Sequence, residues 1–169
     1  MKKFLQRLGV FAVALTMLAS VGAFTATAAQ AYPSSGYYKI KLTGWDRCLD
    51  VRGVNPNDGA LIQTYNCIAG QPNQVFYLNS NGGGGNIYQI KTWVGKCLDV
   101  QGYSTANGAN IQQYSCIGWS QSNQVFGRQA SLWLTWAICL DAANGNVGSD
   151  VIQGSCSSGY LNQWDLISV

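Results

Sequence analysis

Two aspartates stand in nearly identical settings: Asp50 within Cys48-Leu-Asp-Val-Arg-Gly53, and Asp99 within Cys97-Leu-Asp-Val-Gln-Gly102. Thirteen residues beyond each lies a glutamine (Gln63, Gln112), fifteen beyond a tyrosine (Tyr65, Tyr114), and further on an Asn-Gln pair (Asn73-Gln74, Asn123-Gln124). A carboxylate accepts charge-assisted hydrogen bonds from two adjacent hydroxyls. A tyrosine ring offers a flat apolar face, here suited to the C–H side of a pyranose, and side-chain amides both donate and accept. The combined chemistry is that of holding a polyhydroxylated ring. Each residue also has a structural reading. The aspartates could accept from backbone amides in a turn, and Gln74 and Gln124 could be buried amides that tie strands together. Phe76, Phe126 and Trp164 read as core.

What is absent narrows the chemistry further. The sequence has no histidine, the commonest general base and metal ligand, and all seven of its acidic residues are aspartates. Asp58, Asp150 and Asp165 have no counterparts in matching positions and read as surface turn residues. Two aspartates could serve a glycosidase, but the repeated ones come one per repeat, and no Gly-x-Ser-x-Gly motif occurs. No catalytic residue, metal site or cofactor is expected.

The elements that position these residues are repeated. Tyr38-Lys-Ile-Lys through Phe76 aligns with Tyr88-Gln-Ile-Lys through Phe126, and each copy runs Cys-Leu-Asp-Val-x-Gly, an Asn-containing turn, Ile-Gln-x-Tyr-x-Cys and Asn-Gln-Val-Phe. A more worn third copy follows: Cys139-Leu-Asp141-Ala, Val151-Ile-Gln153-Gly-Ser-Cys156 and Asn162-Gln-Trp164. A period of this size implies a multi-unit fold. Short alternating runs such as Tyr38–Leu42, Leu61–Tyr65 and Val75–Leu78, separated by Asn, Gly, Asp and Pro clusters, predict an all-β domain. About four strands per repeat, closed around a pseudo-threefold axis, would remove exposed sheet edges. The stretch Asn79-Ser-Asn-Gly-Gly-Gly-Gly-Asn86 reads as an inter-repeat loop. A phosphate-cradling role is not supported, because no Gly-Lys-Ser/Thr follows.

Six cysteines fall two to a repeat, and repetition favours the pairs Cys48–Cys67, Cys97–Cys116 and Cys139–Cys156. Disulfides suit a secreted chain. The N-terminus carries Lys2, Lys3 and Arg7, then an apolar run from Leu8 to Phe24, and Ala29-Gln-Ala31 fits a signal-peptidase site, with Ala26-Thr-Ala28 as a second. Residues 1–31 are therefore read as a secretory signal and 32–169 as one domain, extracellular and not inserted in a membrane. The net charge of +3 belongs to that leader, since the remainder balances seven basic against seven acidic residues. Without a basic surface, nucleic acid is not an expected partner.

From about Tyr37 to Val169 the three copies resemble ricin-type lectin repeats, the β-trefoil family built on Cys-Leu-Asp-Val-x-Gly and Gln-x-Trp motifs. The resemblance implies an all-β β-trefoil of about twelve strands, with repeats near 37–80, 87–129 and 130–169, and up to three shallow carbohydrate pockets without catalysis. Carried over by position, Asp50 would hold two hydroxyls and Tyr65 would stack, with Gln63 and Asn73 as amide partners and Gln74 as a further candidate. Asp99, Tyr114, Gln112 and Asn123, with Gln124 as the further candidate, would do the same in the second repeat. The third retains Asp141 and Gln153 but has Ser155 at the stacking position. Asn162-Gln-Trp164 lacks the residue between Gln and the aromatic, so either Asn162 replaces the glutamine or the turn is one residue shorter. This pocket is expected to be weak or dead, unless Tyr160 or Trp136 supplies a ring. The expectation is a monomeric secreted lectin for galactose- or xylan-type glycans. The alternatives are a protein-binding trefoil, such as an inhibitor or toxin-delivery subunit, and a small glycosidase.

Overall fold

The computed structural model describes residues 32–80, 85–130, 132–135, 138–156 and 160–169. The leader, the central glycines of the inter-repeat loop and Trp136 lie outside them, as does the side chain of Tyr160. Among the described residues no helix is long and apolar enough to cross a membrane.

Among the described residues each repeat contributes four strands. The first has β1 (Gly36–Leu42), β2 (Arg47–Val51), β3 (Ile62–Asn66) and β4 (Phe76–Ser80). The second has β5 (Ile87–Lys91), β6 (Cys97–Val100), β7 (Ile111–Tyr114) and β8 (Phe126–Gln129). The third has β9 (Leu132–Thr135), β10 (Ile138–Ala142), β11 (Ser149–Gly154) and β12 (Trp164–Ser168). Antiparallel pairing runs β12-β1-β4-β5-β8-β9 through six of them, while β2–β3, β6–β7 and β10–β11 form three hairpins. This is the expected β-trefoil. Asn79 and Ser80, assigned to a loop from sequence, instead continue β4 opposite Gln89 and Tyr88. Asp150 and Asp165 likewise lie on strands β11 and β12 rather than in turns.

Alternation along the strands sends one set of side chains inward. Leu49, Leu98 and Leu140, each following its cysteine, are fully buried, as are Phe76, Phe126 and Trp164. Trp164 is satisfied where it is buried, its indole N–H donating to the carbonyl of Leu140 at 2.9 Å. Disulfides join Cys48–Cys67, Cys97–Cys116 and Cys139–Cys156, with Cα separations of 5.1, 5.1 and 5.0 Å.

The repeats are locked together by one contact used three times. The amides of Gly59, Gly108 and Gly148 donate to the carbonyls of Gln113, Gln153 and Thr64 at 2.9, 2.7 and 2.7 Å. These glycines have φ of 84°, 86° and 78°, a left-handed backbone that glycine adopts without penalty. The side chains of the same three partners also reach across. Gln113 Nε2 donates to the carbonyls of Asn55 and Asn57, Gln153 Nε2 to those of Ser104 and Ala106, and Thr64 Oγ1 to that of Asn146.

Candidate functional site

In the first repeat Asp50 is the fourth residue of β2 and pairs in register with Gln63 on β3. Gln63 Nε2 donates to Asp50 Oδ1 at 2.9 Å. Asn73 Nδ2 and Gln74 Nε2 donate to Oδ2 at 2.9 and 3.0 Å, from a single 3₁₀ turn, Pro72–Gln74. Proline at the first position of that turn has its φ already set for a helical conformation. The second repeat reproduces the set: Gln112 to Asp99 Oδ1 at 2.9 Å, then Asn123 and Gln124 to Oδ2 at 2.7 and 3.0 Å. Side-chain amides, not backbone N–H groups, therefore hold both carboxylates.

The two carboxylates are 5% and 4% exposed. Three amide bonds use most of the roughly four acceptor positions of a carboxylate. Less acceptor capacity is left than the two hydroxyl contacts expected from sequence require. Gln74 and Gln124 are fully buried. Each also donates to a carbonyl, Asn66 or Ser115, and accepts from the N–H of Ile68 or Ile117. They are ties within the fold, not contact residues. Tyr65 and Tyr114, at 36% and 40% exposure, present their rings outward.

A cleft of about 380 Å³ opens beside Asp50, lined by Gly53, Val54, Gln63, Tyr65, Ile68, Gln71 and Asn73. Val54, Ile68 and Gln71 were not singled out from sequence. A signal for two of them was present, since Ile follows the second cysteine in both copies (Ile68, Ile117) and Gln-x-Asn-Gln recurs at Gln71–Gln74 and Gln121–Gln124. The hexamer's glycine makes the floor of the turn: Gly53 and Gly102 both have φ 67°, ψ 17°. The residues that follow, Val54 and Tyr103, have φ of 53° and 55°. For β-branched Val54 this is a strained conformation, of the kind that clusters at functional sites.

Electrostatically the two sites differ. Arg52 donates through Nε to Gln63 Oε1 at 2.9 Å and through Nη2 to Asp150 Oδ1 at 2.6 Å and the Gly148 carbonyl at 3.0 Å. Gln101 stands in that position in the second repeat. Burial raises the Asp99 carboxyl above the usual range; bonds from Gln112, Gln124 and Asn123 oppose the rise and repulsion from Asp58 adds to it. Asp58 itself lies between repeats, bonded to Lys96 at 2.6 Å and Ser115 at 2.9 Å.

The third repeat departs from the expected set. Asp141 pairs with Ile152, while Gln153 pairs with Leu140 and is the inter-repeat clamp described above. Gln153 is thus removed from the candidate ligands, because a one-residue shift places a side chain on the opposite face of a strand. Gly154, not Ser155, occupies the tyrosine's position opposite the cysteine. A Cβ at Gly154 would lie 2.8 Å from Asp141 Cβ. The turn Tyr160–Asn162 ends in Asn162 as the others end in Gln74 and Gln124, so Asn162 replaces the glutamine and Leu161 falls where Asn73 and Asn123 stand. Burial raises the Asp141 carboxyl as well.

Among the described residues no group of three or more His, Cys, Asp or Glu could hold a metal ion. Residues 24–114, just over half of the chain, match the family described as ricin-type beta-trefoil lectin domain-like. No curated protein matches the sequence. Among solved structures, the designed threefold-symmetric protein ThreeFoil is 33% identical, with a TM-score of 0.70 over 79% of this chain and 99% of that one. The C-half of an earthworm R-type lectin, solved in complex with GalNAc, is 17% identical, with a TM-score of 0.65 over 79% of this chain and 99% of its own. A Polyporus squamosus lectin bound to Neu5Acα2-6Galβ1-4GlcNAc is 15% identical, with a TM-score of 0.65 over 80% of this chain; the match spans 49% of that lectin. By this match and the threefold strand order, the chain belongs to the ricin-type β-trefoil lectin domain-like family, whose fold serves carbohydrate binding.

Proposed function

We propose that the protein is a secreted, non-catalytic lectin that binds galactose- or xylan-type glycans through its first two repeats. One observation carries this reading: the same buried aspartate, held by the same three amides beside an exposed tyrosine, is built twice. Tyr65 or Tyr114 stacks on the apolar face of a sugar ring. The exposed edge of Asp50 or Asp99 accepts from one hydroxyl, and Gln63 and Asn73, or Gln112 and Asn123, complete the network. The Oδ1 atoms of Asn73 and Asn123 are buried acceptors without a partner among the described residues.

Two shallow sites on one rigid monomer favour attachment to a polymer or glycan-bearing surface, where effective concentration compensates for weak single sites. Gly154, Ile152 and Leu161 leave the third repeat without its ring and two of its three amides, so it contributes little. A glycan and polysaccharide array with the disulfide-bonded protein tests this, run beside Asp50→Ala, Asp99→Ala and the double substitution. Binding that each single substitution weakens and the double abolishes is the expected result. Binding to no glycan by the folded parent sinks the proposal and points to a protein partner.

A further inference from the structure

A second cleft, of about 410 Å³, lies on the other side of the turn that supports Asp50, lined by Tyr37, Pro72, Tyr77, Lys91 and Trp93 among others. Both clefts fall in the size range of small-ligand pockets, about 300–1,000 Å³. Gln71 and Asn73 face the first cleft, whereas Pro72 and Val75 face the second. Adjacent residues of one short turn, about 3.8 Å apart at Cα, thus form the rim between them.

The aromatic wall is not something the fold demands. Tyr37 pairs with Tyr77 across β1 and β4, and their rings lie 4.9 Å apart with a 57° tilt. The equivalent pair across β5 and β8 is Ile87 and Gly127. Tyr77 also pairs with Lys91, a position filled by Gly127 opposite Leu134 in the second repeat and by Asp165 opposite Lys41 in the third. The scaffold therefore accepts glycine or aspartate where the first repeat places a tyrosine. Tyr37 remains 60% exposed, apolar surface kept in water at a position where the fold has no use for it.

We infer that this cleft is an extension subsite, which takes the next sugar units of the glycan chain whose end sits at Asp50. The inference rests on the proposed lectin function and sharpens it: the first repeat selects an oligosaccharide or polymer over a monosaccharide. Tilted tyrosine faces and Trp93 suit the alternating faces of linked pyranoses. Lys91 supplies an ammonium donor for hydroxyls.

The test is titration calorimetry with galactose, xylose, and β-1,3-galacto- and xylo-oligosaccharides of two to four units, on protein carrying Tyr114→Ala to silence the second pocket. In this background affinity is expected to rise about tenfold with length, the scale of one added aromatic contact. Adding Tyr37→Ile with Tyr77→Ala is expected to abolish the rise and leave monosaccharide affinity where it was. Tyr37 is exposed and Tyr77 half-buried, and melting curves check that the variants fold. Adding Trp93→Phe alone is expected to diminish the rise. Affinity that does not grow with length, or grows equally without the two tyrosines, overturns the extension subsite while the Asp50 pocket stands. Absence of binding to every sugar overturns both.

Discussion

Arg52 Nε donates to Gln63 Oε1 at 2.9 Å, which gives the amide oxygen of Gln63 a charged donor. Gln63 turns its NH₂ toward Asp50 and donates at 2.9 Å, as Gln112 does toward Asp99 without an arginine, because an ionised carboxylate can only accept. The guanidinium is anchored in turn on Asp150 and Gly148 of the third repeat. The first pocket therefore depends on contact between repeats in a way that the second, with Gln101, does not.

Replacing Arg52 with glutamine, the residue of the second repeat, should weaken sugar binding at the first pocket several-fold and leave the second unchanged. Stability should fall by about 1 kcal/mol or less, since the Arg52 and Asp150 side chains are 39% and 43% exposed and solvent screens their attraction. Titration of Arg52→Gln in a Tyr114→Ala background, with urea unfolding alongside, measures both effects.

Gln153 behaves as a structural clamp. Gln153→Ala should cost about 1–3 kcal/mol, because it deprives the carbonyls of Ser104 and Ala106 of their donor. Sugar affinity should not change. Gln113→Ala should behave alike, through Asn55 and Asn57. A loss of affinity without loss of stability in Gln153→Ala would return this residue to the binding site.

Acid should move stability and binding in opposite directions. The folded protein holds a proton on Asp99 and on Asp141 more tightly than the unfolded chain does. Their contribution to stability is complete below the ordinary carboxylate pKa and is lost as pH rises through the raised folded value. In the proposed site the ionised Asp99 accepts from a sugar hydroxyl, so binding at the second pocket should fall as pH drops through that same value. Thermal unfolding and titration of the parent and of Asp99→Asn between about pH 4 and 7 should show a stability slope that shrinks in the variant.

Each disulfide closes a short loop, with sequence separations of 19, 19 and 17 residues, and should contribute about 3 kcal/mol. Cys48→Ala with Cys67→Ala should also loosen the loop carrying Ile68, and so weaken the first pocket. Cys139→Ala with Cys156→Ala should lower stability by a similar amount and leave binding intact. Denaturant melts and array binding of the two double variants separate the cases.

Restoring the third pocket by Gly154→Tyr should fail. The new Cβ would meet Asp141 Cβ at 2.8 Å, an overpacking that costs about 1–3 kcal/mol. The variant should melt at a lower temperature and bind no additional sugar per protein in saturation titrations.

Local features of the chain were legible because they repeat. Cys-Leu-Asp-Val-x-Gly at two places states that the same turn is built twice, and the paired cysteines and the inward Leu49, Leu98 and Phe76 follow from strand alternation. The three strand-rich units, their disulfides and the Asp-amide-Tyr sets of the first two repeats could all be read this way. The worn third repeat was where reading failed. Ile152-Gln153 looks like Ile62-Gln63 in letters, yet it lies one position further along β11 when paired with β10, which sends Gln153 to the clamp and Ile152 to Asp141.

The sequence by itself determined the all-β repeat and the residue types that recur after each Cys-Leu-Asp, since period, residue type and turn chemistry act locally. Tertiary structure decided the rest. Only strand register could separate Gln153 from Asp141, only packing could take Gln74 and Gln124 out of contact, and only the meeting of β1, β4 and the β5–β6 loop could bring Tyr37, Tyr77 and Trp93 to one cleft. Those residues are distant along the chain, and hydrogen bonds between strands, not local preference, set how they meet.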